Sequence, residues 1–519
     1  MKNLSLVATS LFALLATSAC TADNNTQASA STSQVNSKSS QLVSKELLKP
    51  NVLFIAVDDL RVQYGSYDFD KALTPNIDAL SRQGVAFTKA YSNVPVCGAS
   101  RASMLTGVRP TINRFVAFES AEKVAPWAPS IAKVFTDNGY TAYSLGKVFN
   151  NLTDHASDWS EFPWRPKGAK NEDLTTGNKK QDALLSRHDY LTPDNIKMAK
   201  KGVKNHPAFE SADVADDAYK NGKVAQRAIS DLQRLKKAGK PFFLAVGLKK
   251  PHLPFNAPSK YWDLYDESNI QLTKTPQRAK NAPAQAEHNW NELRNYGHDG
   301  TMPKKGTMPD DMAKKLIHGY HAATSYSDAL VGQILAQLTA LDLDDNTIVV
   351  LWGDHGWSLG EHSHWAKHSS YDVTNHIPLI IKVPGMTKGV FADGLVESVD
   401  IFPTLTELAG LPAPSSLQGD SLVPMLKDPN VKVNEAVFPR WKNADSIRTE
   451  QYFYTEWRAK PGGKGKGKGK STKVVARMLF DHSVDPRETN NVAEKSIYAD
   501  VVKNLHQQLA THIAQVETD

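Results

Sequence analysis

The chain has almost no cysteine: Cys20 and Cys97 are the only two in 519 residues. That excludes a disulfide-stapled fold and a cysteine-built zinc site. Long apolar runs are equally scarce. One stands at the N-terminus, MKNLSLVATSLFALLATSAC, and it is too short to cross a bilayer. A strong charge of one sign is missing too. The net charge is +6, with no dense basic stripe and no nucleic-acid motif, so no nucleic acid partner is expected. This mild charge is compatible with an anionic substrate without arguing for one. There are no long repeats. The Gly-Lys alternation of 461–470 is the low-complexity tract inside the fold; it reads as a solvated hairpin loop, or as a basic finger that touches a polyanion. With 40% hydrophobic and 22% charged residues, the remainder is an ordinary globular chain. It is long enough for one large domain plus a smaller one, or for two or three average domains.

The first 20 residues read as a lipoprotein signal peptide: one lysine, a short apolar stretch, then small residues before Cys20. Thr17 stands where leucine is commoner, so an ordinary signal peptide cleaved nearby is the alternative. Residues 21–48 are rich in Ser, Thr and Asn, the composition of a flexible tether. The expectation is an exported protein, periplasmic or anchored to the outer membrane, that meets the membrane only through a lipid on Cys20. Cys97 then has no partner.

Period and punctuation suggest alternating strands and helices. NVLFIAV (51–57) is a continuous apolar run ending in Asp58 and Asp59. TPNIDALSRQG follows as a helix, with Thr74 as N-cap, Pro75 at the first helical position and Gly84 just past the end. PSIAKVFTDNGYTAYSLGK (129–147) reads as helix, turn and strand. VAQRAISDLQRLKKAGK is an amphipathic helix feeding PFFLAVGL (241–248). SYSDALVGQILAQLTALDL is a second one, feeding NTIVVLWGDHG (346–356), and IPLIIKVPG (377–385) is another buried strand. Repeated helix-to-buried-strand units argue for an α/β fold, a large, mainly parallel sheet between helices. The polar, Pro-rich stretches of about 155–215 and 256–312 read as insertions or loops. EQYFYTEWRA and KVVARMLFDH look like paired strands, followed by a closing helix near 495–515. The expected divisions are a catalytic domain over 49–425 and a smaller C-terminal α+β subdomain, antiparallel sheet plus helix, over 426–519.

Three strands end in residues that a packed core would not choose: Asp58-Asp59, then Lys249-Lys250-Pro251-His252, then Gly353-Asp354-His355-Gly356. In open parallel sheets, ligands sit at the carboxyl ends of the strands. Three carboxylates and a histidine on one rim would suit calcium, or magnesium with retained waters. A lone Asp-Asp pair is more simply a strand-end turn. Cys97, in PVCGASRASMLTG (95–107), falls at the start of a helix, where exposed N–H groups favour anions and thiolates. Arg101 adds a fixed charge whose fork matches a tetrahedral oxyanion. The plain alternative is a buried free cysteine acting as a small hydrophobe.

CGASR followed by ASMLTG matches the signature of the type I, formylglycine-dependent sulfatases, and the chain resembles their iduronate-2-sulfatase branch. FIAVDDLR, TPNIDALSRQGVAF, GKVF, PFFLAVGLKKPHLPF, GDHGWSLGEHSHWAKHS, HIPLIIKVPG and FDHSVDPRETNNVA carry the resemblance, from about residue 50 to 515. It implies an alkaline-phosphatase-like sulfatase fold and a sulfuric ester hydrolase. Cys97 would be oxidised by a formylglycine-generating maturation system, and a hydroxyl of the hydrated aldehyde would attack sulfur. That accounts for an unpaired cysteine in an exported chain. One calcium ion would be held by Asp58, Asp59, Asp354, His355 and the modified Cys97. Arg101 and Lys147 would hold the nucleophile. Lys367 and His252 would grip the sulfate, with His252 as candidate general acid.

One position departs from the family. After GKVF the family offers a histidine that assists sulfate release, and here Asn150 stands there. Asparagine cannot take that proton; His155, from the following loop, is a candidate replacement, with a loop histidine of no role as the alternative. The expected substrate is a sulfated polysaccharide or oligosaccharide: a uronate 2-sulfate, ulvan or an algal galactan sulfate. Trp357, His362, His364 and His368 lie beside the expected site and are candidates for meeting its sugar rings; packing is the alternative for Trp357 and Trp365. The rival readings are a phosphate or phosphonate monoester hydrolase of the same fold, and a catalytically inactive surface glycan-binding protein.

Overall fold

In the computed structural model of the protein, the described residues are 49–62, 65, 72–167, 178–386, 389–459 and 473–518. The signal and tether read at 1–48, the anchor at Cys20 and the Gly-Lys tract lie outside them. No helix of the described residues is long and apolar enough to cross a membrane.

Asn51–Val57 forms β1, buried along its whole length. Its side chains alternate between two cores: Val52, Phe54 and Ala56 face one, Leu53, Ile55 and Val57 the other. A strand buried on both faces has no polar side to show, which is why its sequence is a continuous apolar run. Around it stand β2 (Val85–Tyr91), β3 (Thr141–Gly146), β4 (Phe242–Leu248), β5 (Thr347–Gly353), β6 (His376–Ile377), β7 (Leu379–Lys382) and β8 (Val390–Glu397). The sheet order is β8-β2-β7-β5-β1-β4-β3, with β6 also on β2. The block β5-β1-β4-β3 is parallel throughout. β7 runs antiparallel to both β5 and β2. The sheet is thus mixed but mainly parallel, and IPLIIKVPG, read as a single strand, is two short ones broken at Pro378.

Helices cover both faces. Pro75–Ser81 (α1) has Thr74 at its N-cap, but the Thr74 hydroxyl bonds the Asp78 carboxylate rather than a backbone N–H. Cys97–Thr106 (α2) and Ile131–Asp137 (α3) pack on one face, where Phe135 meets Phe243 of β4. Lys220–Ala238 (α4) and Asp310–Ala340 (α6) cover the other; α4 buries Val224, Ala228, Leu232 and Leu235, a stripe of helical spacing. Between them, within a stretch read as loop, lies the one-turn helix Asn291–Arg294 (α5).

The C-terminal sheet consists of β9 (Ala436–Val437), β10 (Arg440–Trp441), β11 (Ala444–Thr449), β12 (Tyr452–Arg458) and β13 (Val474–Asp481), all antiparallel. Ile447, Tyr454 and Leu479 pack under Val502, Leu505 and Leu509 of α7 (Ala499–Thr518). Both sheets belong to one compact unit, Leu48–Asp519. The expected boundary near 425 falls between Glu397, the end of the first sheet, and Ala436, the start of the second.

Candidate active site

Because β1, β3, β4 and β5 are parallel, their carboxyl ends share one edge. There the chain places Asp58-Asp59, Lys147, the segment to His252, and Asp354-His355. The close approach of the edge strands requires glycine. A Cβ on Gly247 would lie 2.1 Å from the carbonyl carbon of Lys147, and one on Gly146 (φ 71°) 2.2 Å from the Gly247 oxygen. Lys147 is held there by its own N–H, which donates to the Gly247 oxygen at 2.8 Å.

α2 brings Cys97 and Arg101 to the same edge, and both are buried. The Arg101 guanidinium donates Nε to Asp354 Oδ2 at 2.8 Å and Nη2 to Asp58 Oδ1 at 3.2 Å. Its Nη1 donates to the carbonyls of Lys147 and Val148. Ser100 Oγ, one residue earlier, donates to the Asp354 carbonyl at 2.5 Å. Lys147 Nζ reaches Asp58 Oδ2 at 2.5 Å. Burial alone would raise the Asp58 pKa, but Lys147 and Arg101 outweigh it and hold the carboxyl well below the usual carboxylate range.

Asp59 (φ 60°) takes the left-handed conformation, its N–H donating to Asp354 Oδ1 at 3.0 Å and its carbonyl accepting from Tyr320 OH at 2.8 Å. Lys367 Nζ sits 2.8 and 3.0 Å from its two carboxylate oxygens. Burial pushes the Asp59 carboxyl well up against the pull of Lys367, and the negative Asp58, Glu292 and Asp354 add to the push. Lys367 moves up as well, because Asp59 outweighs the cost of its burial.

His355 donates Nδ1–H to the Gly356 carbonyl at 2.9 Å, which leaves the Nε2 lone pair 3.2 Å from Cys97 Sγ and 3.4 Å from Asp59 Oδ1. A ring that burial keeps neutral, its lone pair turned to a carboxylate, fits a cation between them. Two donor groups lie within ion reach and meet at Cys97: Asp58, Asp59, Cys97 and His252; and Cys97, Asp354 and His355. The five residues expected to hold a metal are all among them. This oxygen-rich set suits a hard divalent ion. Burial and the neighbouring Asp58 raise the Cys97 thiol well above its ordinary pKa, so as a thiol it is a poor nucleophile.

His252 is fixed the same way: Nδ1–H donates to the Leu253 carbonyl at 2.6 Å. Its Nε2 faces Glu292 Oε1 at 3.3 Å. Burial, then Lys367, drives the ring well below the usual histidine value. Glu292, on α5, also lies 3.3 Å from Lys367 Nζ, so it joins both residues expected on the sulfate. Sequence reasoning missed it, because one glutamate in a polar stretch carries no periodic signal. Arg165 was missed likewise; it donates to the carbonyls of Gly146, Phe149 and Asn150 and ties down the loop after β3.

The other predicted residues are placed differently. His155 sits with Nδ1 2.9 Å from Asp158 Oδ2 and its ring stacked on Phe149; no hydrogen bond or ion pair joins it to the cluster. Trp357, 1% exposed, packs with Phe255 and Trp365 in a core behind the site, with Lys367 Nζ 5.2 Å over its ring. His362 is buried with its ring flat on Tyr371, and His364 is buried at the edge of the same tyrosine. Of the four residues expected on the substrate, His368 alone is partly exposed.

A buried set of anions and cations at the carboxyl edge of a mainly parallel sheet, with a cysteine at a helix start among them, suits a hydrolase of tetrahedral anionic esters. Comparison with known proteins narrows the class. The sulfatase family profile matches residues 50–411, and that of the N-sulphoglucosamine sulphohydrolase C-terminal region matches 360–515. The chain belongs to the sulfatase family and is a sulfuric ester hydrolase. It is 33% identical to the iduronate 2-sulfatase of Mus musculus, over 88% of this chain and 93% of that one. It is 26% identical to an ulvan-active sulfatase of Formosa agariphila, over 91% and 82%. Among solved structures, the phosphonate monoester hydrolase of Agrobacterium radiobacter shares the fold with TM-score 0.71 at 22% identity, covering 90% of this chain and 96% of that one. A protein solved with its substrate D-glucosamine-2-N,6-O-disulfate gives TM-score 0.69 at 21% identity, covering 91% and 99%. At such identities the likeness is one of fold. The family match does not favour the phosphoester or the inactive-binder reading.

Proposed function

We propose that the protein hydrolyses sulfate esters on a sulfated polysaccharide or oligosaccharide, with Cys97 matured to formylglycine and one calcium ion held by Asp58, Asp59, Cys97, Asp354 and His355. The hydrated aldehyde would supply the attacking oxygen, and the cation would polarise it and the sulfate oxygens. The observation that carries this reading is the place of Cys97: at a helix start, 3.2 Å from His355 Nε2 and 3.7 Å from Asp59 Oδ1, among the paired carboxylates and cations of the sheet edge.

The chain's own residues do the rest. Arg101 and Lys147 neutralise Asp58 and Asp354 and fix their orientation. Lys367, kept charged by Asp59, presents an ammonium to the sulfate oxygens. His252 has its tautomer set by Leu253, so Nε2 is the atom that must carry the proton to the leaving alcohol. Glu292 is the carboxylate within reach to favour that protonated state. The chemistry of the relatives' named substrates supports a sulfated carbohydrate, and the residues 1–20 support export with a lipid on Cys20. The test is sulfate release from defined sulfated oligosaccharides by protein whose Cys97 conversion is verified by peptide mass. Chelation should abolish release and calcium restore it; release that survives exhaustive chelation would refute the cation.

A further inference from the structure

The turn between β10 and β11 brings Trp441 and Lys442 from the C-terminal sheet to the residue next to Lys367. Arg440 pairs with Asp445 and Trp441 with Ala444, so the hairpin closes on Lys442 and Asn443, with Lys442 in the left-handed region at φ 54°. Trp441 stacks flat on His368, ring centroids 4.9 Å apart and planes at 10°. His288 stands edge-on to His368 at 5.6 Å. Lys442 Nζ lies 4.6 Å over the Trp441 ring.

This group is unlike the buried histidines behind it. Lys442 is exposed, and Trp441, His368 and His288 are half-buried, so they form a surface. They adjoin the reacting centre: Lys367, bonded to Asp59, precedes His368, and Glu292, 3.3 Å from Lys367 Nζ, acts on the His288 ring. Part of their hydrogen-bonding capacity is unspent. His288 Nδ1 accepts the Trp290 N–H at 3.0 Å, which puts the ring proton on Nε2 as a donor. His368 Nε2 is buried and has no hydrogen-bond partner. Lys442 has no carboxylate partner among the described residues, whereas its neighbour Arg440 is paired with Asp445 at 2.8 Å. Burial, and then Lys442 for His288, at about 4, and Lys367 for His368, holds both rings below their usual values, so both are neutral. The result is a pair of neutral imidazoles and an unpaired ammonium, held in place by the Trp441 ring between His368 and Lys442, beside the lysine expected on the sulfate. An ammonium with imidazole N–H groups takes an anion.

We propose that Trp441, Lys442, His288 and His368 form a subsite for a second anionic group on the sugar chain, a carboxylate or a further sulfate, beside the ester that is cut. This rests on the sulfatase reading for what is cut, and it deepens that reading to a substrate with at least two negative groups. A lysine ammonium on a charged sugar group is a charge-assisted contact worth about a tenfold change in affinity.

Binding can be measured without turnover on protein that retains the Cys97 thiol. Three disaccharide probes separate the sources: one sulfate with one uronate carboxylate, two sulfates, and a single sulfate alone. Lys442→Ala should weaken binding of one or both doubly charged probes about tenfold, name the anion by which one it weakens, and spare the singly charged probe. Lys442→Arg should restore it, and Trp441→Phe, which shrinks the ring that seats the Lys442 ammonium, should weaken the doubly charged probes less than Lys442→Ala does. Equal affinity of wild type and Lys442→Ala for both doubly charged probes overturns the subsite, as does an equal loss on all three. Failure of the sulfatase reading is separate: it would appear as converted wild type that releases no sulfate, whatever the binding results.

Discussion

Replacing Arg101 by methionine tests how the buried charges at the sheet edge are balanced. The side chain is fully buried and donates to Asp354, Asp58 and two backbone carbonyls. Methionine fills similar volume, so the packing change is small and the electrical change large. Asp58 keeps Lys147 and Asp59 keeps Lys367, but Asp354 loses its one cation among the described residues. Removing one partner of a buried ion pair costs about 3–5 kcal/mol. Thermal unfolding of protein with the Cys97 thiol, in chelator, should therefore show a clearly lower midpoint for Arg101→Met. Divalent cation should recover part of the loss, because an ion in the cluster replaces the missing charge. The double variant Arg101→Met/Asp354→Asn should melt above the single one, a coupling of about 0.5–3 kcal/mol between groups in contact. An unchanged midpoint in the single variant, or a double variant that loses stability additively, would refute the charge-balance argument.

Other expectations follow from the same geometry. Gly247→Ala drives a methyl into the Lys147 backbone carbonyl, so the two strands must part, and both the melting midpoint and kcat for sulfate release should fall clearly. Glu292→Gln removes the carboxylate shared by His252 and Lys367; its loss of kcat should be larger on alkyl sulfates than on aryl sulfates, whose leaving groups need no proton. A uniform loss across leaving groups would remove Glu292 from the proton path. His482 is raised above the usual histidine pKa because Glu488 outweighs its burial. The stability it adds is full below the unfolded value of about 6.5 and is lost as pH rises through the folded value. His482→Gln should thus lower the melting midpoint more at about pH 6 than at about pH 9.

The site was legible where chemistry broke a pattern. A run such as NVLFIAV that ends in two aspartates, or NTIVVLW that ends in Gly-Asp-His-Gly, announces both a doubly buried strand and a polar edge. Cys97 and Arg101 stood out because the chain has so little cysteine and because four residues on a helix place both at one end. What stayed hidden depends on contacts far apart in sequence. Glu292 and Arg165 lie in polar stretches, and only the folded chain sets them against His252 and the loop at Lys147. The antiparallel β7 looks like any buried strand, since burial on both faces erases the alternation that would reveal its direction. Trp357, His362 and His364 stand near Lys367 in the sequence, yet they are buried, while Trp441 reaches His368 from another sheet. Adjacency along the chain gave no means of telling these cases apart.

The central claim is that Cys97 becomes the nucleophile of a sulfate ester hydrolase. The most direct measurement pairs the peptide mass at residue 97 with sulfate release from uronate 2-sulfate, galactan sulfate and ulvan oligosaccharides, with Cys97→Ala alongside. The account predicts release that scales with the converted fraction and vanishes in Cys97→Ala. Release by protein that carries only the thiol, or none by fully converted protein, would contradict it.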